Sequence, residues 1–477
     1  MNTPIYNTIK KYISLNPLPF HTPGHKLGKG IPAEILRDLP FIDITEIPGT
    51  DNLHYPTGII KEAQVLASEA FGSDNTFFLV NGSTSGIHAM IMAICKPGDQ
   101  LIVSRDCHKS VISGMMLAGA EPVYLKPEFN EEFGITTVIT PKEVEKMLEK
   151  YPKAAAVLIT RPNYYGVCSD IKKIAEIVHR HGKILAVDEA HGAHLRFGDG
   201  LPFCAMDSGA DICVQSAHKT LPALTQGSYL HVKNKRIDLD KLKMILRMLQ
   251  TSSPSYLIMA MLDVARDILD CYGKILLSEL FEYIETIQKQ TENENFRWLT
   301  NKDISGGEKD ATRIVINVAK LGLTGYEADR ILREKYNIFA EMSDLNNVVF
   351  IATIADKKES FDRLREGLLG LLEYQAKDVA ENKELSGILI KRPEMPAQVM
   401  KLKNILHAAG TREILDKAEG RISKEIITPY PPGIPLLCPG ELITREIIEY
   451  IHELISKGCR VNGVSEKLDI LVVDDKQ

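Results

Sequence analysis

The sequence predicts an α/β protein, with a large domain built on a mostly parallel sheet, a smaller α/β domain and a C-terminal α+β segment. Three observations carry this. From about residue 75, seven apolar runs of strand length recur: TFFLV, QLIVS, EPVYL, AAAVLIT, KILAVDEA, ADICVQS and GSYLHV. Amphipathic helical patterns lie between several of them, and continuous apolar strands separated by helices imply a sheet covered on both faces. After a polar stretch, TENENFRWLTNKDISGGEKD, the alternation resumes on a smaller scale. The expected organisation is an N-terminal arm at 1–35, a large domain at 36–294, a small domain at 295–377 and a C-terminal domain at 378–477.

Taken in order, MNTPIYNTIKKYISL reads as a short amphipathic helix and lacks the apolar core and cleavage site of a signal peptide. PKEVEKMLEKY and DIKKIAEIVHRHG read as helices of the large domain. In the latter, Ile171, Ile174, Ile177 and Val178 share one face and Gly182 stops the helix. Residues near 236–290 are helical, with few turn signals. TRIVINVAK and NVVFIATIA read as strands of the small domain, TGYEADRILREKY as a helix with a capping box at Thr324 and Glu327, and ESFDRLREGLLGLLEY as another helix. The tail passage PYPPGIPLLCPGE is too apolar for a linker and too proline-rich for a central strand.

With 477 residues, 44% hydrophobic and 25% charged, the composition is that of an ordinary globular protein. The net charge of −6, with both signs mixed throughout, argues against nucleic acid or an anionic membrane as partner. No apolar run approaches the roughly 18 residues of a membrane span. The eight cysteines show no CxxC spacing; they read as reduced thiols in a cytoplasm, and no metal site is assigned to them.

Several motifs invite chemistry. DEAH in VDEAHGAH is a magnesium-binding strand end in many ATP-driven helicases, but the nearest phosphate-loop text, GHKLGKG, lacks the terminal Ser or Thr and follows no apolar strand. NGSTSG, at Asn81–Gly86, is not GxSxG, because Ser83 and Ser85 sit one place off its centre. It reads either as a plain helix cap or as an anion site at a helix N-terminus. Asp188 ends one apolar strand and Lys219 lies just after another, at the strand ends where open α/β sheets bind ligands. An anion cradle, a carboxylate and an amine together suit pyridoxal phosphate, which needs a phosphate site, an acid partner for its pyridine nitrogen and a Schiff-base lysine. His108, after the strand QLIVS, offers an imidazole able to stack on the ring.

FHTPGHKLG, DITEIPGTDNLH, NGSTSG, RDCHKSV, VDEAHGAH, QSAHKTLPALTQGSYLH, TSSPSY and PYPPGIPLLCPGE resemble the bacterial ornithine/lysine/arginine decarboxylases, which share the aspartate-aminotransferase fold of fold-type I pyridoxal-phosphate enzymes. The resemblance is to their short form, and it implies that the large domain binds pyridoxal 5′-phosphate. It implies Lys219, His108 and Asp188 as catalytic residues. Lys219 would hold the cofactor, Asp188 pair with its ring nitrogen, and His191 meet its 3-hydroxyl. Ala190 and His108 would lie on opposite ring faces, Ser83 and Thr84 would cradle its phosphate, and Ser216 and His218 would reach the phosphate or neighbouring groups. Protonation of the substrate α-carbon falls to Lys219, His108 or water. The arm motif with His21, Pro23 and His25 is expected near the pocket and at a subunit interface, in a homodimer or a multiple of dimers. Glu46, Asp51, Glu341 and Glu441 are acidic candidates for the substrate's distal cation. The expected activity is decarboxylation of a small-molecule basic amino acid in the cytoplasm, feeding polyamine synthesis. On that analogy arginine comes first, then lysine, then ornithine. The alternatives are an aminotransferase or other lyase on the same fold, and a non-catalytic homologue.

Overall fold

The computed structural model of the chain describes residues 2–233, 235–374, 393–430 and 433–474. The expected boundary at 377/378 and two tail residues, Pro431 and Pro432, lie outside the described residues.

Each of the seven apolar runs becomes a strand: β1 (Asn75–Leu79), β2 (Gln100–Ser104), β3 (Glu121–Leu125), β4 (Ala156–Thr160), β5 (Ile184–Asp188), β6 (Ile212–Gln215) and β7 (Ser228–Val232). They form one sheet in the order β1-β7-β6-β5-β4-β2-β3. Neighbours run parallel except β7, which is antiparallel to both β1 and β6. The connection from β6 to β7 holds only a helix of four residues, Ala217–Thr220, and includes no long crossover helix of the kind parallel strands use.

Alternate side chains of these strands enter two different cores. Leu101, Val103, Leu158, Ala186 and Val214 pack with Ile87, Met90, Val111, Met115 and Leu242 from the helices Gly82–Ile94, Lys109–Ala118 and Leu239–Leu249. Ile102, Val157, Ile159, Leu185 and Val187 pack with Val144, Leu148, Ile174 and Val178 from the helices Pro141–Lys150 and Ile171–Arg180 on the other face. Gly182 then turns the chain at φ +69°, a conformation glycine takes at little cost.

Beyond the 36-residue helix Tyr256–Thr291, a smaller sheet forms from β8 (Arg297–Trp298), β9 (Arg313–Asn317), β10 (Met342–Ser343) and β11 (Asn347–Ile351). Its order is β8-β9-β11-β10, and every pairing is antiparallel. The helix Gly325–Tyr336 starts at the Thr324–Glu327 capping box and packs on this sheet with Lys358–Leu371. The last segment pairs Gly410–Ile414 with Asp469–Val473 and covers them with the helix Arg445–Ser456. At the other end of the chain, Leu18–Phe20 pairs parallel with Ile338–Ala340 and ties the N-terminal segment to the small sheet.

Candidate active site

The chemistry-bearing residues gather at one edge of the large sheet, where β1, β2, β4, β5 and β6 all end. After β1, the helix Gly82–Ile94 opens with Ser83, partly buried, and Thr84, exposed. Its N-cap Asn81 makes no side-chain cap hydrogen bond, so the first-turn amides face outward for an acceptor from elsewhere. After β6, Ser216 is fully buried and its hydroxyl has no hydrogen-bond partner among the described residues; the same holds for the Thr220 hydroxyl. Orphaned buried hydroxyls beside a helix N-terminus are what a phosphate site provides.

Lys219 stands on the one-turn helix after β6, with Nζ 3.1 Å from His191 Nε2. Burial of its amine lowers the lysine pKa, opposed by the charges of Asp188 and Glu341. Asp188, at the end of β5, is 2% exposed, and among the described residues its carboxylate accepts one hydrogen bond, from Ala190 N at 3.1 Å. Burial raises its pKa, with Lys219 pulling the other way. A buried carboxylate with so few donors gains from an N–H cation placed beside it.

His108 caps the helix Lys109–Ala118, with Nδ1 accepting from Ser110 N at 3.2 Å and bonded to the Ser110 hydroxyl at 2.7 Å. Burial, with help from the charge of Lys219, lowers its pKa to about 4. The ring is therefore neutral at physiological pH. His218 turns away towards Gly227 O, 3.2 Å from its Nδ1, and burial lowers its pKa to about 4 as well.

Four residues of this site, Arg313, Tyr164, Arg161 and Glu189, were given no role by the sequence reading. Arg313, the first residue of β9, reaches across from the small domain and places Nη2 2.7 Å from His191 Nδ1. Tyr164, in RPNYYG, sets its ring edge-on to His191 at 5.5 Å, and its buried hydroxyl has no partner among the described residues. Beneath Asp188, the buried Arg161 and Glu189 pair at 3.2 Å, with Gln215 and Ala205 N also donating to the Glu189 carboxylate. An arginine-proline pair directly after β4 and a glycine two residues past Tyr164 were the available signals.

The arm motif packs directly behind the lysine. Gly24 N donates to His218 O at 2.7 Å, and Thr353 donates to Gly24 O at 2.8 Å. A Cβ on Gly24 would lie 2.6 Å from Leu221 O, so only glycine allows this approach. Lys26 is buried and donates to His21 O and Ile351 O.

The four acidic candidates separate clearly. Glu46 is exposed and accepts from Asn52. Asp51 accepts from the backbone amides of Asn52, Thr57, Gly58, Ile60 and Lys61, and those donors hold its pKa down against its burial. Glu441 is bound to Arg105. Glu341 faces the site: its charge acts on Lys219, Arg313, His218 and His21, while one oxygen accepts from Thr22 N at 2.9 Å.

The amine, the underserved buried carboxylate, the neutral imidazole and the orphaned hydroxyls fit pyridoxal phosphate. The family described as Orn/Lys/Arg decarboxylase, major domain, matches residues 3–308, and the C-terminal domain of the same family matches residues 390–476. An arginine decarboxylase of Bacillus subtilis (strain 168) is 39% identical over 469 residues, covering 97% of this chain and 95% of that protein. A lysine decarboxylase of Pseudomonas aeruginosa is 24% identical, covering 94% of this chain and 75% of that protein. The solved structure of the constitutive lysine decarboxylase of E. coli superposes with a TM-score of 0.75 at 20% identity, covering 99% of this chain and 82% of that one.

Proposed function

The chain belongs to the Orn/Lys/Arg decarboxylase family, and from that premise we propose that it decarboxylates arginine with pyridoxal phosphate carried on Lys219. It is a decarboxylase of a basic amino acid on the fold of the fold-type I pyridoxal-phosphate enzymes. The observation that carries the residue assignment is the convergence of Lys219, His191 and the buried Asp188 at one sheet edge. When bound, the cofactor supplies an electron sink for the carbon–carboxylate bond.

Asp188 would keep the ring nitrogen protonated, which also relieves its own burial without a counter-charge. His108, neutral and anchored by Ser110, suits stacking on the ring. Ser83, Thr84 and Ser216 would take the phosphate, while His218 stays with Gly227 O. Decarboxylation replaces the carboxylate on the α-carbon by a proton, and Lys219 is the better donor of that proton, since the neutral ring of His108 offers only a weakly acidic N–H near neutral pH. Glu341 is the acidic group that best answers the substrate's distal cation, because Glu46, Asp51 and Glu441 are engaged elsewhere.

Arginine leads because the Bacillus relatives named for it, at 35–39% identity, are nearer in sequence than relatives named for lysine, at 24%. The reading includes the cytoplasm as compartment, a polyamine precursor as product and a homodimer or a multiple of dimers. The exposed apolar side chains of Ile5, Tyr6, Ile9 and Ile13 on the N-terminal helix support self-association. Among the described residues no helix is long and apolar enough to cross a membrane.

Borohydride reduction of the loaded enzyme followed by peptide mass mapping tests the lysine. A pyridoxyl adduct on Lys219, absent from Lys219→Ala, is expected; an adduct on another lysine overturns the assignment. Release of carbon dioxide without keto acid separates this reading from an aminotransferase.

A further inference from the structure

Arg313 is 2% exposed, yet it makes no ion pair with a carboxylate among the described residues. An arginine buried so deeply, with the charges of Glu341 and Asp310 acting on it but neither carboxylate paired to it directly, is costly, so its position calls for a reason. Its Nη2 lies 2.7 Å from His191 Nδ1, and the opposite nitrogen of that ring, Nε2, lies 3.1 Å from Lys219 Nζ. The chain makes room for it: Gly166 sits at φ +78°, and a Cβ there would fall 2.5 Å from Arg313 Cβ.

A guanidinium has N–H donors and no acceptor. Next to Arg313, then, Nδ1 of His191 must be the unprotonated nitrogen, and the single proton of the neutral ring must sit on Nε2, facing Lys219. We propose that Arg313 is a positioning residue that locks His191 in the Nε2–H tautomer, so that His191 can only donate towards Lys219 and the lysine amine must accept. The small domain thereby sets the hydrogen-bonding state of a lysine that belongs to the large domain. This proposal rests on Lys219 being the reactive lysine.

Other groups also act on the pair. Asp188 and Glu341 bear on Lys219, while His108 and His218 bear on His191, whose burial lowers its pKa well below the ordinary value. Tyr164 packs against the same ring. Removing Arg313 therefore changes two things: a positive charge disappears, and His191 becomes free to place its proton on Nδ1. In that second tautomer Nε2 accepts, and a protonated Lys219 gains a hydrogen bond it was denied before.

Charge and hydrogen bond are separable. Arg313→Met removes both, whereas Arg313→Lys keeps the charge and loses the long planar fork that reaches Nδ1. The readout is the pH profile of Lys219 acetylation in the cofactor-free protein, followed by mass spectrometry of the Lys219 peptide. It does not depend on turnover, so it is measurable whether or not the decarboxylase reading holds. Both variants should move the midpoint upward, by about one pH unit for Arg313→Lys, which means roughly tenfold less neutral amine near neutral pH. On a His191→Gln background the shift from Arg313→Lys should vanish. A wild-type midpoint in Arg313→Lys overturns the proposal, whether or not Arg313→Met shifts. An equal shift on the His191→Gln background overturns it too. Should Arg313→Met fail to fold, the comparison of Arg313→Lys on the two backgrounds decides alone.

Discussion

Glu441→Gln should loosen the C-terminal domain from the large one. The Glu441 side chain is fully buried and that of Arg105 is 12% exposed, and the two meet fork to fork, at 2.5 Å and 3.0 Å. Arg105 also donates to Leu436 O at 3.0 Å and lies 4.7 Å from the Tyr124 ring, while Cys438 N donates to Glu441 at 2.7 Å. The amide of glutamine keeps one acceptor, but it turns an N–H₂ towards a donor and leaves the guanidinium charge without its counterpart. Breaking a buried pair on one side costs about 3–5 kcal/mol, against less than about 1 kcal/mol for an exposed pair. The retained acceptor puts the expected loss near the lower end, about 3 kcal/mol. Urea unfolding followed by circular dichroism reads the loss, and limited proteolysis reports whether the C-terminal segment detaches first. The double variant Arg105→Met/Glu441→Met should recover much of the stability, since no lone charge then remains buried. A loss below about 1 kcal/mol in Glu441→Gln would refute the claim that this pair is desolvated and binding the domains together. Because Arg105 lies three residues before His108, kcat should fall along with stability.

Three further outcomes are expected. Asp188→Asn should fold and bind cofactor but lose turnover by at least the tenfold or more that a charge-assisted hydrogen bond of about 1.5–3 kcal/mol represents; near-normal turnover would remove Asp188 from the ring-nitrogen role. Glu341→Gln should raise KM for the basic substrate by about tenfold with less effect on kcat, and an unchanged KM would return the distal cation to some other group. Stability should decline as pH falls below about 6.5. The unfolded chain protonates His108 and His218 there, whereas the folded chain, with both near pKa 4, does not. At pH 5 each histidine then costs about 2 kcal/mol, which calorimetry at pH 7 and pH 5 would detect; His218→Asn should flatten the dependence.

The seven strands of the large sheet were legible because both faces are covered, leaving runs such as AAAVLIT and KILAVDEA without polar interruption. That Lys219, Asp188 and His108 gather at one edge was legible for a related reason: each ends or follows a recognisable strand, and parallel strands bring their ends to one edge. The Thr324–Glu327 capping box was equally local. Arg313 was hidden because its partner His191 is 122 residues away and on a different domain, and nothing in TRIVINVAK marks its first arginine as anything but a strand-end charge. A still longer separation, 336 residues, concealed the Arg105–Glu441 pair, so that Glu441 read as a substrate contact and not as half of an ion pair. Asp51 was misleading in the opposite sense, since a carboxylate in a polar loop gives no sign that five backbone amides converge on it.

Parallel kinetics on arginine, lysine and ornithine, reading carbon dioxide release by the loaded enzyme, decide the substrate and the reaction together. The highest kcat/KM is expected for arginine, with no keto acid from any of the three. A tenfold preference for lysine or ornithine, equal to about 1.4 kcal/mol in transition-state binding, would contradict the arginine assignment, and no carbon dioxide from any of them would contradict the decarboxylase itself.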